Sequence, residues 1–247
     1  MRVSLFATCL VDQFFPQVGV SVVRLLRRQG CEIDFPEQQT CCGQPAFNTG
    51  YVEEARKIAR HTLKVFADAE SVVLPSGSCA GMIHHYYPEL FAHDKSLLLQ
   101  VERFIEKTYE FSQFMVNVLG VEDVGARFPH RATYHPSCHG TRLLGVRQEP
   151  LTLLRHVRQL ELVPLPHAED CCGFGGTFSV KLGDVSAKMV KEKVENILRT
   201  GAEYVVGMDT ACLMNIAGYM QRQGIAVKTL HLAELLERGL DGREAPA

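Results

Sequence analysis

Residues 169–179 read EDCCGFGGTFS, in which Cys171 and Cys172 are adjacent and stand directly before a glycine. Neighbouring side chains in a regular strand or helix point in different directions. A glycine after the pair lets the backbone turn sharply, so that both thiols can reach one object. The same CCG triplet occurs at residues 41–43. A triplet that occurs twice predicts an internal repeat.

Alignment of the two triplets aligns almost all cysteines of the chain. Eight of the nine cysteines form four pairs: Cys9 with Cys138, Cys41 with Cys171, Cys42 with Cys172, and Cys79 with Cys212. The separation grows from 129 residues in the first pair to 133 in the last, as short loop insertions would produce. Cys31 has no partner, and we interpret it as a small core residue.

Strands and helices are predicted to alternate around these cysteines. Short apolar runs end at the first and last cysteine of each half, and apolar residues recur at helical spacing in 51–69 and 184–200. Asp184 is the predicted N-cap of the latter helix and Gly201 its stop. The alternation predicts an α/β protein with two similar Rossmann-like parallel-sheet domains related by internal duplication. We place them at residues 1–125 and 126–247.

This topology predicts two groups of thiols. Each paired cysteine follows a predicted strand, and open α/β sheets carry their functional crevice beyond the carboxyl ends of the strands. We call the two groups the first quartet, Cys9, Cys41, Cys42 and Cys79, and the second quartet, Cys138, Cys171, Cys172 and Cys212. We expect each quartet to close around one bound metal centre.

Four thiolates in a reducing compartment suit iron–sulfur clusters or zinc, because both take soft sulfur ligands. Structural zinc usually uses paired CxxC motifs, which the sequence lacks. The spacing therefore favours iron–sulfur clusters, with zinc, a thiol redox site and inert buried cysteines as alternatives. A disulfide framework does not suit an odd cysteine count.

Composition limits the partners and the compartment. The chain has 247 residues, 46% hydrophobic and 22% charged, with a formal net charge of -2, so nothing in it predicts nucleic-acid binding. No apolar run reaches the roughly 18 residues that span a bilayer. The short apolar stretch at 3–11 lacks a convincing cleavage site, so we do not interpret it as a secretion signal. We expect a cytoplasmic protein that meets a membrane only through partner subunits.

Two histidines flank Cys138 at a spacing of four residues, and they are the candidate catalytic residues. On a helix, His135 and His139 would share one face, toward a metal or a substrate carboxylate. Pro136 argues against a helix there, so hydrogen-bonded loop histidines are the alternative.

The repeated motifs resemble a known group of proteins. The two quartets, together with PSGSCAGM at 75–82 and GMDTACL at 207–213, resemble the tandem cysteine-rich CCG domains of heterodisulfide reductase and of the glycolate oxidase iron–sulfur subunit. The resemblance is greatest to the lactate utilisation protein A family and covers essentially the whole chain. It implies an iron–sulfur oxidoreductase subunit with up to two clusters, [4Fe–4S] in type, or zinc in one or both sites.

The same resemblance implies partners and a reaction. The family implies an electron-transfer subunit of a complex that oxidises L-lactate, or a similar 2-hydroxy acid, to the 2-oxo acid. Its partners would be a ferredoxin-like iron–sulfur subunit and a third lactate-utilisation subunit. Whether this chain catalyses the oxidation or only relays electrons stays open. Two other functions also stay open: a zinc-stabilised scaffold subunit, and a thiol–disulfide oxidoreductase that uses the CCG cysteines.

The sequence departs from the fullest form of this motif at two positions. In heterodisulfide reductase the last element is CxxC, whereas here Ser76 and Asp209 replace its first cysteine. Four thiolates suffice for a cubane cluster. An oxygen ligand from Ser76 or Asp209 is a further possibility, while a five-cysteine, non-cubane cluster is not expected.

Overall fold

Two four-stranded parallel sheets form the frame of the molecule in the computed structural model, which describes residues 1–241. The first sheet has the order β2-β1-β3-β4, and the second has the order β6-β5-β7-β8. The first contains β1 (Arg2–Leu5), β2 (Glu32–Asp34), β3 (Ser71–Leu74) and β4 (Thr108–Glu110). The second contains β5 (Arg131–His135), β6 (Glu161–Val163), β7 (Tyr204–Gly207) and β8 (Lys228–His231). The prediction of a duplicated parallel α/β fold is confirmed.

Helices connect the strands and cover both sheets. The first half contains α1 (Cys9–Phe14), α2 (Pro16–Arg28), α3 (Gln44–Asn48), α4 (Val52–Val65), α5 (Gly77–Gly81), α6 (Tyr87–Leu90), α7 (Lys95–Glu106) and α8 (Phe111–Gln113). Two π-helical segments, Met82–Tyr86 and Phe114–Val118, continue α5 and α8. The second half contains α9 (Cys138–Arg142), α10 (Glu149–Arg155), α11 (Phe178–Lys181), α12 (Gly183–Arg199), α13 (Thr210–Arg222) and α14 (Leu232–Asp241).

The observed elements follow the predicted order, with local differences. The N-cap of α12 is Leu182, so Asp184 lies inside the first turn and the predicted cap was wrong. Gly201 follows the end of α12 with φ +63°, as a helix stop requires. The edge strands β4 and β8 were not predicted.

One central strand of each sheet is fully inaccessible to solvent. Every residue of β3 and β7 is buried, since helices cover both faces of a parallel sheet. Cys31 lies just before β2 and is also buried in the core, which agrees with its interpretation as a packing residue.

The last helix of each half packs on the other half. Helix α14 packs on α2, where Arg24 and Glu237 form an ion pair at 2.6 Å. The segment that follows β4 packs on α10, where Asn117 donates a hydrogen bond to Glu149 at 2.9 Å. A single core cluster therefore contains residues of both halves, including Leu25 and Leu235.

The proposed division at residues 125 and 126 falls between the two sheets, but this exchange of helices crosses it. Residues 242–247, which end the proposed second domain, lie outside the described part of the chain. No helix within residues 1–241 has the length and apolar character needed to cross a bilayer.

Candidate metal centre

The paired cysteines lie at the carboxyl ends of the strands, as predicted. Cys9 and Cys138 begin the short helices that follow β1 and β5. Cys79 and Cys212 lie in the first turns of the helices that follow β3 and β7. The two CCG pairs lie in the loops after β2 and β6. Because parallel strands end at the same edge of a sheet, these segments bring each quartet together.

In the first quartet the thiols form a connected chain of contacts. The Sγ atoms of Cys9 and Cys41 are 3.8 Å apart. The thiol of Cys42 lies close enough to those of Cys41 and Cys79 for both to raise its pKa. Cys42 and Cys79 are buried, whereas Cys9 and Cys41 are half-buried. One side of the quartet is thus closed by the core and the other faces the surface.

The second quartet repeats this pattern. Cys138 and Cys172 lie close enough to Cys171 to lower its pKa, and Cys212 lies close enough to Cys172 to raise the pKa of Cys172. Cys172 and Cys212 are buried, whereas Cys138 and Cys171 are half-buried. The two halves therefore build equivalent thiol sites from equivalent elements.

The glycine of each CCG triplet makes the turn that brings adjacent thiols together. Gly43 and Gly173 have φ values of +89° and +83°, a region that side chains of L-residues rarely adopt. Their backbone N–H groups donate hydrogen bonds of 3.4 Å to the Sγ atoms of Cys41 and Cys171, respectively. A Cβ atom on Gly173 would lie 2.8 Å from the carbonyl oxygen of Ser186. The turn therefore requires glycine for its conformation and, in the second half, also for space.

Each quartet concentrates negative charge on one thiol. Hydrogen bonds from Cys42 and Cys9 lower the pKa of Cys41 to about 3, and hydrogen bonds from Cys138 and Cys172 lower the pKa of Cys171 to about 2. Donating to these thiolates raises the pKa of Cys9 and Cys138, and burial adds to the effect. One thiolate is thus held by neutral thiols, and a bound cation would release the remaining protons.

Both quartets line one cavity of ≈ 300 Å³ between the two halves. Its wall also includes the glycine-rich turn at 174–176 and the exposed Val180. A larger cavity of ≈ 530 Å³ lies beside β6 and α10, but none of the cysteines lines it. The smaller cavity is the candidate site because, of these two, it is the one that contains the thiols.

The sequence of each half matches a known domain. The cysteine-rich domain family named CCG matches residues 3–84 and 132–217, which include all eight paired cysteines. The chain is 56% identical to Lactate utilization protein A of Geobacillus thermodenitrificans over 96% of its length and 98% of the relative. It is 54% identical to that of Bacillus subtilis, over 96% of this chain and 99% of the relative. The chain belongs to the lactate utilization protein A family.

A solved structure is similar at a much greater distance. Glutamate racemase isoform RacE1 of Bacillus anthracis has 11% identity and a TM-score of 0.38, over 98% of this chain and 79% of that one. We draw no functional conclusion from this similarity.

In this member of the lactate utilization protein A family, Ser76 and Asp209 cap helices. The Ser76 hydroxyl accepts a hydrogen bond of 3.2 Å from the N–H of Cys79. One carboxylate oxygen of Asp209 accepts from the N–H of Ala211 at 3.1 Å, and the other accepts from the N–H of Ser78 at 2.7 Å. These bonds give both side chains a structural role at the start of the helix that carries the last cysteine of each quartet.

The two candidate histidines both lie beside the second quartet, but on different elements. His139 is in α9, and its Nδ1 is 3.5 Å from the Sγ of Cys138. His135 ends β5, so the pair does not share one helix face, in agreement with the effect expected of Pro136.

His135 is the residue whose surroundings are unusual. It is 1% exposed, and neither ring nitrogen has a hydrogen-bond partner within the described structure. A ring nitrogen lies within 4.8 Å of the Sγ atoms of both Cys172 and Cys212. Burial, with a smaller contribution from the charge of Lys193, lowers the pKa of His135 to about 3. The imidazole is therefore neutral at pH 7.

Sequence reasoning missed Lys193 in α12. Its side chain is 1% exposed, and its ammonium donates to the carbonyl oxygens of His167 and Ala168 at 2.8 and 3.0 Å. These bonds hold the loop that leads into the second CCG pair. The helical spacing contained a signal, because Lys193 lies three residues after Val190 and so occupies a position on the buried face.

Proposed function

We propose that each quartet binds an iron–sulfur cluster, [4Fe–4S] in type, and that the chain is an electron-transfer subunit of a complex that oxidises L-lactate, or a similar 2-hydroxy acid, to the 2-oxo acid. The proposal depends on one observation above all: two complete thiol quartets line the same cavity. The relatives' name, Lactate utilization protein A, supports lactate as the substrate of the system.

A single zinc ion and a cluster require different spacings of the thiols. Four sulfur ligands at about 2.3 Å from one tetrahedral ion have all their Sγ atoms about 3.8 Å apart. Cys9 and Cys41 meet this distance, but among residues 1–241 no three thiols lie within 4.8 Å of one another. In a cubane cluster each of four cysteines binds a different iron atom, so the thiols would have to move farther apart than the Cys9–Cys41 contact. The lack of paired CxxC motifs, and not the spacing of the thiols, therefore favours a cluster over zinc.

The surroundings of the quartets support a relay of electrons. The buried thiols Cys42, Cys79, Cys172 and Cys212 would keep the inner side of each cluster away from water, whereas the half-buried thiols would bring the outer side to the cavity. A cluster can pass on electrons without contacting the substrate. We infer that the substrate is oxidised elsewhere in the complex and that the chain acts as a relay.

We infer two partner subunits and a reducing compartment. The partners are a ferredoxin-like iron–sulfur subunit, which exchanges electrons with these clusters, and a third lactate-utilisation subunit. All nine cysteines are free thiols, which supports a location in the cytoplasm, where thiols stay reduced.

The decisive test is metal analysis of protein purified without oxygen. We expect brown protein that contains iron and acid-labile sulfide for two clusters. Cys41→Ser and Cys171→Ser should each lose about half of the iron and about half of the sulfide. Cys31→Ala, which changes a buried thiol outside the quartets, is the matched control and should keep all of the iron and sulfide. Colourless protein with one zinc per quartet would instead support the scaffold function.

The thiol–disulfide alternative is tested on the same material. Metal-free protein that forms a disulfide within each CCG pair under mild oxidation, and reopens it with a thiol reductant, would support that function. The electron-transfer role is tested separately by adding L-lactate. We expect lactate to reduce the clusters when the partner subunits are present and to leave them oxidised when this chain is alone.

A further inference from the structure

The two thiol sites differ in one buried residue that can bind a metal. Three residues before the first cysteine of each quartet stands His135 in the second half and Phe6 in the first. Both side chains are buried, and the Phe6 ring packs on Phe66 with centroids 5.0 Å apart. We propose that His135 binds the metal centre of the second half through a ring nitrogen, so that the two centres have different ligand sets.

The first argument is that His135 lacks hydrogen-bond partners. Native proteins pair nearly all buried polar atoms. Both nitrogens of His135 are buried and have no partner among the described residues. A neutral imidazole has one nitrogen with a free electron pair, which is a good ligand for iron or zinc. A metal ion beside the ring would supply a partner for that one of the two nitrogens.

The second argument is distance. Within residues 1–241, the only three metal-ligating atoms that all lie within 4.8 Å of one another belong to His135, Cys172 and Cys212. Ligands of one tetrahedral ion are separated by about 3–4 Å, given metal–nitrogen and metal–sulfur bonds of about 2.0 and 2.3 Å. In a zinc site these three atoms need only a small closing movement to share one ion, whereas in a [4Fe–4S] cluster, in which each iron takes one protein ligand, His135 would bind one iron in place of one of the four thiolates. The first quartet, with Phe6 at the corresponding position, offers no nitrogen there.

A second difference between the halves changes the charge around the sites. Lys193 lies near the thiols of Cys171, Cys172 and Cys212 and interacts with their charge. In the first half the corresponding position of α4 is Thr62, whose hydroxyl donates to the carbonyl oxygen of Ile58. A neutral nitrogen ligand and a nearby cation both favour the more reduced state of a metal centre. We expect the centre of the second half to accept electrons before that of the first.

This inference rests on the proposed function in one respect: Cys172 and Cys212 must be metal ligands. The test uses the whole chain, loaded without oxygen and labelled with ¹⁵N only in histidine. Pulsed electron paramagnetic resonance of the reduced protein should show a strongly coupled ¹⁵N nucleus on one of two centres. His135→Phe, which copies the residue of the first half, should remove that coupling. His139→Phe is the matched control and should keep it.

A zinc-loaded sample separates the two possible failures. X-ray absorption of zinc-loaded wild-type protein should show a nitrogen at about 2.0 Å beside sulfurs at about 2.3 Å, and His135→Phe should show sulfur without this nitrogen. Zinc binding without iron or sulfide, but with the nitrogen present, would overturn the proposed clusters and keep the inference. Clusters in both halves with no strongly coupled nitrogen, or with coupling unchanged in His135→Phe, would overturn the inference and keep the clusters.

Discussion

Ser76 and Asp209 contact each other across the two halves, although they are 133 residues apart in sequence. The Ser76 hydroxyl lies 3.3 Å from a carboxylate oxygen of Asp209, and their backbones form an isolated antiparallel bridge. They occupy equivalent positions in the repeat, and each caps the helix that carries the last cysteine of its quartet. This contact therefore couples the geometry of one thiol site to that of the other.

Removal of the Asp209 carboxylate should lower the stability of the fold without removing a metal ligand. We expect Asp209→Ala to lower the free energy of unfolding by about 2–3 kcal/mol, because the N–H groups of Ser78 and Ala211 lose a charged acceptor. Urea unfolding of the reduced, metal-free protein measures this change. Asp209→Asn keeps one oxygen as an acceptor and should lower the free energy of unfolding by less than Asp209→Ala does. Loss of iron from Asp209→Asn at unchanged stability would show that Asp209 is a ligand instead.

The contact between helices α5 and α9 leaves no space for a side chain. A Cβ atom on Gly77 would lie 3.0 Å from the Cα atom of Gly140. We expect Gly77→Ala to push the two halves apart and to lower the free energy of unfolding by about 1–3 kcal/mol. Gly218→Ala in α13 is the control, because its Cβ would contact nothing within 4 Å. It should stabilise the protein by about 0.5–1 kcal/mol, since alanine is the better helix former.

The two CCG glycines should respond differently to the same substitution. Both have positive φ values, but a Cβ atom on Gly173 would lie 2.8 Å from a backbone oxygen, whereas on Gly43 the nearest atom would be at 3.5 Å. We expect Gly173→Ala to lose the metal of the second quartet. Gly43→Ala should retain more of its metal and be destabilised by about 1–2 kcal/mol through backbone strain. Metal content per chain and unfolding curves report both effects, and equal losses in the two variants would contradict this account.

Buried Glu110 should make stability depend on pH. Burial raises the pKa of its carboxyl from 4.5 to about 7, although hydrogen bonds from Ser112 and Gln113 oppose the shift. Because the pKa is higher in the folded protein, the stabilising contribution is complete below pH 4.5 and is lost as the pH rises through about 7. Relative to Glu110→Gln, the wild type should lose on the order of 3 kcal/mol over this range.

Urea unfolding at several pH values measures this difference. The variant should show a smaller decline with rising pH because an amide does not ionise. Glu122→Gln makes the same substitution at an exposed side chain, and its stability should change with pH as that of the wild type does. Parallel curves for the wild type and Glu110→Gln would mean that folding does not raise the pKa of Glu110.

Much of the architecture can be read from local patterns. The duplicated CCG triplets, the offset shared by the paired cysteines and the apolar periodicities around them predict two parallel sheets with a thiol quartet at the edge of each. These signals lie within stretches of about ten to twenty residues, where strand and helix spacing determines which side chains share a face.

The relations between the halves depend on packing and have no local signature. The exchange of α14 onto α2, the pairing of Ser76 with Asp209 and the position of His135 near Cys172 and Cys212 all join segments that are distant in the chain. The distances between these segments are set by how the two sheets and their helices pack into one shared core. The hydrophobic effect that drives this packing is non-directional, so no short stretch of sequence specifies the result. The repeat thus reveals that two similar sites exist, and the packing determines that they face one cavity and that His135 lies beside the thiols of the second.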